Sequence, residues 1–245
     1  LATGLLADAF GWRAAFLVPG GVACAIGALY GATASRATGA GGGHENAPAP
    51  VPASRRTQFR VIGAVGCFAL FGGLVFNAVT VSLPKLFDER LVDIADSLTG
   101  IGGYTALVFA IAAFAQLPVG DLLDRVGARV VLIWIFAAQL VAFMLIADAE
   151  GAVVLPLAIG LVLMLFAELP ATAWLLGRYV SSRWRARAYS LEYLLSLGVS
   201  SAAVPIIAAL HHFGYGFDDQ YLMLAGCVAV VLTAAVVLPG HAGER

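Results

Sequence analysis

The chain has 245 residues, of which 61% are hydrophobic and only 12% charged, and its mean hydropathy is +0.91. An average soluble domain is about half apolar and about one quarter charged; a core of this size cannot hide so large an excess from water, so the composition excludes a soluble globular protein and makes lipid the solvent. The formal net charge of −1 says nothing about partners, because the distribution of charge matters more than its sum; no basic, aromatic-interleaved surface suggests nucleic acid.

Apolar runs near the roughly 20 residues needed to cross a bilayer recur along the chain. They predict seven transmembrane helices, at 14–34, 61–83, 99–120, 129–147, 152–175, 187–210 and 219–239. None of the runs alternates apolar and polar residues as a membrane barrel would, so the predicted fold class is an all-α membrane protein. The chain opens at Leu1 without Met, and nothing there resembles a basic segment followed by a cleavage site, so a truncated start is expected. Residues 1–34 read as an outer turn and one orphan span. The following stretch, 35–60, holds Gly39–Gly43 and Pro48, Pro50 and Pro52. Such a composition buries too little apolar surface to fold, and predicts a flexible cytoplasmic linker ending in the basic anchor Arg55, Arg56 and Arg60. Residues 61–245 then read as a six-helix domain, its spans paired as antiparallel hairpins by short connections. Within it, Leu86–Leu98 mixes apolar and charged residues, as either a short surface helix or a polar loop would.

The third and fourth spans are joined by Gly120-Asp-Leu-Leu-Asp-Arg-Val-Gly-Ala-Arg129. Gly120 and Gly127 would permit a tight reversal, Asp124 would cap a helix N-terminus, and Arg125 and Arg129 would anchor the turn at the membrane surface. If this loop is cytoplasmic, eleven basic residues follow it inside: Arg36, Arg55, Arg56, Arg60, Arg125, Arg129, Arg178, Arg183, Arg185, Arg187 and Arg245. Of the 14 Lys and Arg residues, only Arg13, Lys85 and Arg90 remain outside. This asymmetry predicts a cytoplasmic C-terminus.

Glu168 and Glu192 are the only carboxylates well inside predicted spans, in adjacent helices and at similar depth. An ionisable group there costs a few kcal/mol and marks a functional candidate. Facing each other they would suit proton binding or substrate contact; facing Arg178 or Arg187 they would be structural ion pairs; near the interface they would simply snorkel. Tyr189, Glu192, Tyr193, Ser196 and Ser200 share one face of the sixth span. Such a stripe either lines a water-filled cavity or serves as interhelical glue. Asn77, Gln116 and Gln139 are isolated amides on three other spans, suited to interhelical hydrogen bonds, with Asn77 also a cavity-lining candidate. Pro170, two residues after Glu168, is placed to kink its helix, and His211 and His212 read as a solvated turn pair.

Cys24, Cys67 and Cys227 lie singly in different apolar runs, without the spacing of a disulfide framework or zinc site. No P-loop, GxSxG elbow or HExxH occurs. No metal, cofactor or enzymatic activity is therefore expected.

Read as Gly-x-Leu-x-Asp-Arg-x-Gly-x-Arg, the loop at 120–129 resembles the signature loop of the major facilitator superfamily of secondary transporters. The opening Gly4–Phe16, with Gly11-Trp-Arg-Ala-Ala-Phe16, resembles that family's outer turn before its sixth span, and Pro205–Gly214 looks like the outer end of its eleventh. The order and spacing of these motifs match the family over essentially the whole chain; Ala128 departs from it, standing where a further basic residue is common. The resemblance implies an orphan sixth span followed by the C-terminal six-helix half-bundle, with the N-terminal half absent from this fragment and acting as its partner. It also implies that the loop grips the other half as a conformational gate. The expected function is secondary transport of a small solute by alternating access in a bacterial inner membrane. Coupling to protons through the glutamates is expected, as an antiporter, with export slightly favoured over uptake. The isolated 245 residues would then be inert in a flux assay. The alternative is a polytopic interaction or scaffolding protein without transport.

Overall fold

The computed structural model describes residues 6, 10–37, 54–91 and 98–240. The regular elements among the described residues are all helical. Among the described residues, seven helices are long and apolar enough to cross a membrane: Ala14–Thr33, Arg55–Arg90, Gly100–Val126, Ala128–Ala147, Gly151–Tyr179, Arg183–His212 and Phe217–Val237. Length and composition thus make the chain an integral membrane protein. Two compact units can be distinguished, Leu1–Ala49 and Pro50–Arg245.

The first unit is built on α1 (Ala14–Ala37). Gly11, at φ 82°, turns the chain into it, and the Gly11 carbonyl accepts the first hydrogen bond, from Ala14 N, at 3.0 Å. Most of the Gly4–Ala9 stretch, and the linker from 38 to 53, lie outside the described residues.

The second unit holds the other six spans. Its first begins with α2 (Arg55–Cys67), where the Ser54 hydroxyl accepts from Thr57 N at 3.2 Å as an N-cap. The anchor Arg55, Arg56 and Arg60 is therefore helix rather than linker. Halfway along, five residues, Phe68–Gly72, widen into a π-helical segment before α3 (Gly73–Arg90) completes the span. The chain after Leu91 re-enters as α4 (Leu98–Ala113), with 92–97 outside the described residues, so Leu86–Arg90 closes α3.

The next span is broken. Helix α4 stops at Ala113 and α5 runs Gln116–Val126, joined by tight turns in which Phe114 N and Ala115 N reach back only three residues. Pro118 explains the break, because it offers no N–H to the carbonyl four residues earlier and its ring crowds that carbonyl. The reversal into α6 (Ala128–Ala147) rests on Gly127 alone, at φ 89°. Gly120 lies inside α5 and does no turning. Asp124 is also inside α5, in its last turn, and caps no N-terminus. A carboxylate there faces the negative end of its own helix; its Oδ1 instead accepts from the Trp174 indole at 2.9 Å.

One turn of 3-10 helix (Gly151–Val153) leads into α7 (Val154–Tyr179), followed by α8 (Ser182–Ser200), α9 (Ala203–His212) and α10 (Phe217–Val237). Helices α8 and α9 form one span broken at Ser201 and Ala202, and Pro205 causes this break as Pro118 causes the first.

The core centres on α6, which packs against α7 and α10. Its buried stripe, Val131, Leu132, Ile135, Phe136, Gln139, Phe143 and Ile146, follows the i, i+3, i+4 spacing of one helix face, and Gln139 is its only polar member. Phe136 meets Phe68 with ring centroids 5.3 Å apart, and Phe143 meets Tyr221 at 5.7 Å. Successive spans of this unit reverse direction. Arg125, Arg129, Arg178, Arg183, Arg185 and Arg187 thus fall at one end of the unit, the basic end. Asp88, Glu89, Asp148, Glu150, Asp218 and Asp219 fall at the other, the acidic end.

At the acidic end Arg90 is held in a clamp. Its Nη1 donates to the carbonyls of Ile146, Ala147 and Ala149 at 2.7, 2.8 and 2.9 Å, where α6 ends. Its Nη2 meets Asp218 in the first turn of α10 at 2.6 Å. A cation at a helix C-terminus and an anion at an N-terminus both answer the helix dipole.

Candidate functional site

Among the described residues of the second unit, two hollows stand out as large enough to hold a small molecule. The larger, about 820 Å³, lies among α4, α5, α6 and α7 and is lined only by apolar side chains, Trp134 and Met164 among them. It carries no group that could titrate or orient a polar solute. The other, about 420 Å³, lies between the π segment with α3, α7 and α8, and contains both Glu168 and Glu192. That volume falls in the ordinary range for small-molecule sites.

Glu168 enters the site because of its register on α7. The buried positions Val154, Ala158, Leu161, Val162, Leu165, Ala171 and Leu175 keep a helical repeat, and Glu168 falls on that same face. It is only 7% exposed. Its Oε2 accepts from Gln139 Nε2 at 3.0 Å, and the same amide reaches the Met164 carbonyl at 3.2 Å. Gln139 thus makes the interhelical bonds that its isolation in an apolar span predicts, and it makes them to the buried carboxylate. Oε1 has no hydrogen-bond partner among the described residues and lies beside Gly72, where a methyl group would come within 3.0 Å of it.

The opposite wall is the polar stripe of α8. Glu192, Tyr193, Ser196 and Ser200 line the cavity, whereas Tyr189 does not. Tyr189 turns toward α7, where its hydroxyl donates to the Ala173 carbonyl at 2.8 Å. It sits one turn nearer the basic end, where α7 and α8 converge on their connection, and so acts as interhelical glue. The third wall is where sequence reasoning missed residues. Gly73 lies so close to α8 that a Cβ there would sit 2.7 Å from Ser196 Oγ and 3.0 Å from its carbonyl oxygen. The Ser200 hydroxyl donates to the Gly73 carbonyl at 2.8 Å, and Asn77 Nδ2 donates to the Ser200 carbonyl at 2.9 Å. Asn77 is therefore both cavity lining and interhelical bond. The available signal was the Gly72-Gly73 pair in mid-span, where packing helices favour small residues.

The glutamates lie deeper than the hydropathy boundaries implied. Helix α7 runs on to Tyr179 rather than stopping near 175, and α8 begins at Ser182 rather than near 187. Arginines end the apolar run without ending the helix, because their long stems reach the interface from inside it. The arginines do not pair with the glutamates: Arg178 lies over the Trp174 ring at 5.0 Å and Arg187 over Trp184 at 4.7 Å. Neither Glu168 nor Glu192 forms an ion pair among the described residues.

The loop residues form a separate cluster at the basic end. Arg125 pairs with Asp121 within α5 at 2.9 Å, Asp124 is tied to Trp174, and Arg129 lies beside Gly240. Gly120, Asp124, Arg125, Gly127 and Arg129 do not line the cavity. Elsewhere His211 shares a hydrogen bond with Gln220 at 3.1 Å and stacks edge-on against Phe217, so it packs onto α10 rather than standing free in the turn. No group of three or more His, Cys, Asp or Glu among the described residues could hold a metal ion.

No protein-family model matches the chain, and no curated protein or solved structure matches it either.

Proposed function

We propose that the chain belongs to a secondary active transporter that moves a small solute across the membrane by alternating access. In this reading Pro50–Arg245 is one six-helix half, comparable in the order of its motifs to the C-terminal half of a major facilitator protein. The observation that carries the proposal is Glu168, a buried carboxylate without an ion-pair partner among the described residues, on the wall of a solute-sized cavity in a lipid-soluble bundle. Carboxylates that deep are retained for ion and substrate pathways rather than for stability. Glu192 on the facing helix gives protons a second site, and a proton gradient is the natural energy source.

The cytoplasmic side is the basic end, by the distribution of arginine. The membrane is a bacterial inner membrane and the direction export, as the opening Gly4–Phe16 motif suggests. The loop around Gly127 grips the other half of the transporter and holds one access state.

The test is flux in proteoliposomes containing the full-length protein, under an imposed pH gradient. A panel of a sugar, an amino acid, an organic anion and tetraphenylphosphonium covers the main solute classes. Gradient-driven movement of at least one is expected, reduced at least tenfold by Glu168→Gln. Full flux in both Glu168→Gln and Glu192→Gln would remove the coupling role. No flux of any solute would favour a scaffolding protein.

A further inference from the structure

The hydrogen-bond inventory of the cavity is lopsided. Thr80 spends its hydroxyl hydrogen on the Phe76 carbonyl at 2.7 Å, Thr172 on the Leu169 carbonyl at 3.0 Å, and Ser200 on the Gly73 carbonyl. Asn77 has committed one amide hydrogen to the Ser200 carbonyl. A hydroxyl has only one hydrogen to give, so what the cavity's side chains still have to donate is the Ser196 and Tyr193 hydroxyls and the second Asn77 amide hydrogen. The acceptors are less committed. Glu168 keeps Oε1 unpartnered while nine-tenths buried, Glu192 has no ion-pair partner among the described residues, and no Lys, Arg or His lines the space.

From this balance we infer that the cavity binds an organic monocation with an apolar body. An anion would meet two carboxylates and no cationic side chain, with only neutral donors to offset them. A sugar needs donors and acceptors in similar number and would find mainly acceptors. A bare metal ion is far smaller than 420 Å³ and would find no cluster of three ligands among the described residues. A bulky cation satisfies the carboxylates by charge and fills the rest against Phe68, Phe76 and Tyr193, whose ring faces attract positive charge. Glu168 is the anchor, because a carboxylate in that dry position gains most from a counter-charge. Glu192, half-buried, adds less.

The inference deepens the transport reading and rests on it for its biological role, but binding tests it directly. Tetraphenylphosphonium and tetraphenylborate have nearly the same shape and opposite charge. Equilibrium dialysis of each against the full-length protein in nanodiscs needs no variant, so it stands even if a substitution disturbs folding. Saturable binding of the cation and none of the anion is expected, with at least a tenfold loss in Glu168→Gln and a smaller loss in Glu192→Gln. Equal uptake of both ions, or cation binding unchanged in both variants, would overturn the inference. The two readings fail separately. Cation binding without flux of any solute sinks transport and leaves the site, whereas flux of a sugar or organic anion without cation binding keeps transport and sinks this assignment.

Discussion

Arg90 shows how much one side chain contributes when it sits where several helices end. With Lys85 it is one of two described Lys or Arg residues at the acidic end of the second unit, an exception to the division of charge there, and its contacts supply the reason. Carbonyls in the last turn of a helix lack partners within it; one guanidinium reaches two of these, of Ile146 and Ala147, with the Ala149 carbonyl just beyond α6 and Asp218 as well. Its side chain is only 11% exposed, while that of Asp218 is 63% exposed. Losing the arginine strands buried acceptors, each costing about 1–3 kcal/mol, but losing the aspartate removes a largely solvated pair worth about 0–1 kcal/mol. Arg90→Met should therefore lower the unfolding temperature in detergent by much more than Asp218→Asn. Equal losses from the two would show that the ion pair, not the carbonyl clamp, is what matters. Glu168 was legible in the sequence as a carboxylate in an apolar run, but Gln139 as its partner was not. That pairing joins α6 to α7 and depends on the rotation of both helices, which no local pattern fixes. Tyr189 shows the opposite failure: its place on the stripe was legible, but the carbonyl that draws it toward α7 was not.

Among the elements, hydropathy located all seven spans, since lipid imposes one strong rule on every residue of a run. It did not locate the irregularities inside them. The breaks before Pro118 and Pro205 follow from a missing N–H and could be read from the sequence. The π segment at Phe68–Gly72 could not, because no residue in it forbids α geometry. Its setting is the close approach of Gly73 to Ser196, which leaves no room for a side chain. Gly73→Ala should push α8 away from α3, break the Ser200 bond to the Gly73 carbonyl and lower thermal stability. Gly66→Ala, on the same span with nothing within 4 Å of a new methyl, should be neutral or slightly stabilising through helix propensity. If both variants behaved alike, the tight contact at Gly73 would not be a determinant of the fold.

For the molecule as a whole, charge divides the ends of the bundle while polarity marks its middle. The division predicts orientation. In a background where Cys24, Cys67 and Cys227 are replaced by Ala, Ser181→Cys should react with an impermeant maleimide only from the cytoplasmic side. Ala149→Cys should react only from the opposite side. Reversed labelling would invert the assigned topology without disturbing the helix assignments. The middle is where polar groups reach the lining from three separate stretches of chain: Glu168 from α7, Glu192, Ser196 and Ser200 from α8, and Asn77 from α3. Such convergence belongs to tertiary structure. The sequence supplied the glutamates and the stripe as two patterns, and only the packed helices make them one site.

The π segment carries a geometric consequence for that site. It holds one residue more than an α-helix would need over the same rise, and one residue of α-helix corresponds to about 100° of rotation. Ironing those five residues into regular helix would twist Gly73–Arg90 by roughly that angle against Arg55–Cys67. Asn77 would swing off the Ser200 carbonyl, the Gly73 carbonyl would leave the Ser200 hydroxyl, and the surface facing Glu168 would change from glycine to a side chain. The span is thus wound like a screw with one thread in reserve, and unwinding that thread would re-index the wall of the cavity and turn Arg90, at the far end of the same helix, out of its clamp.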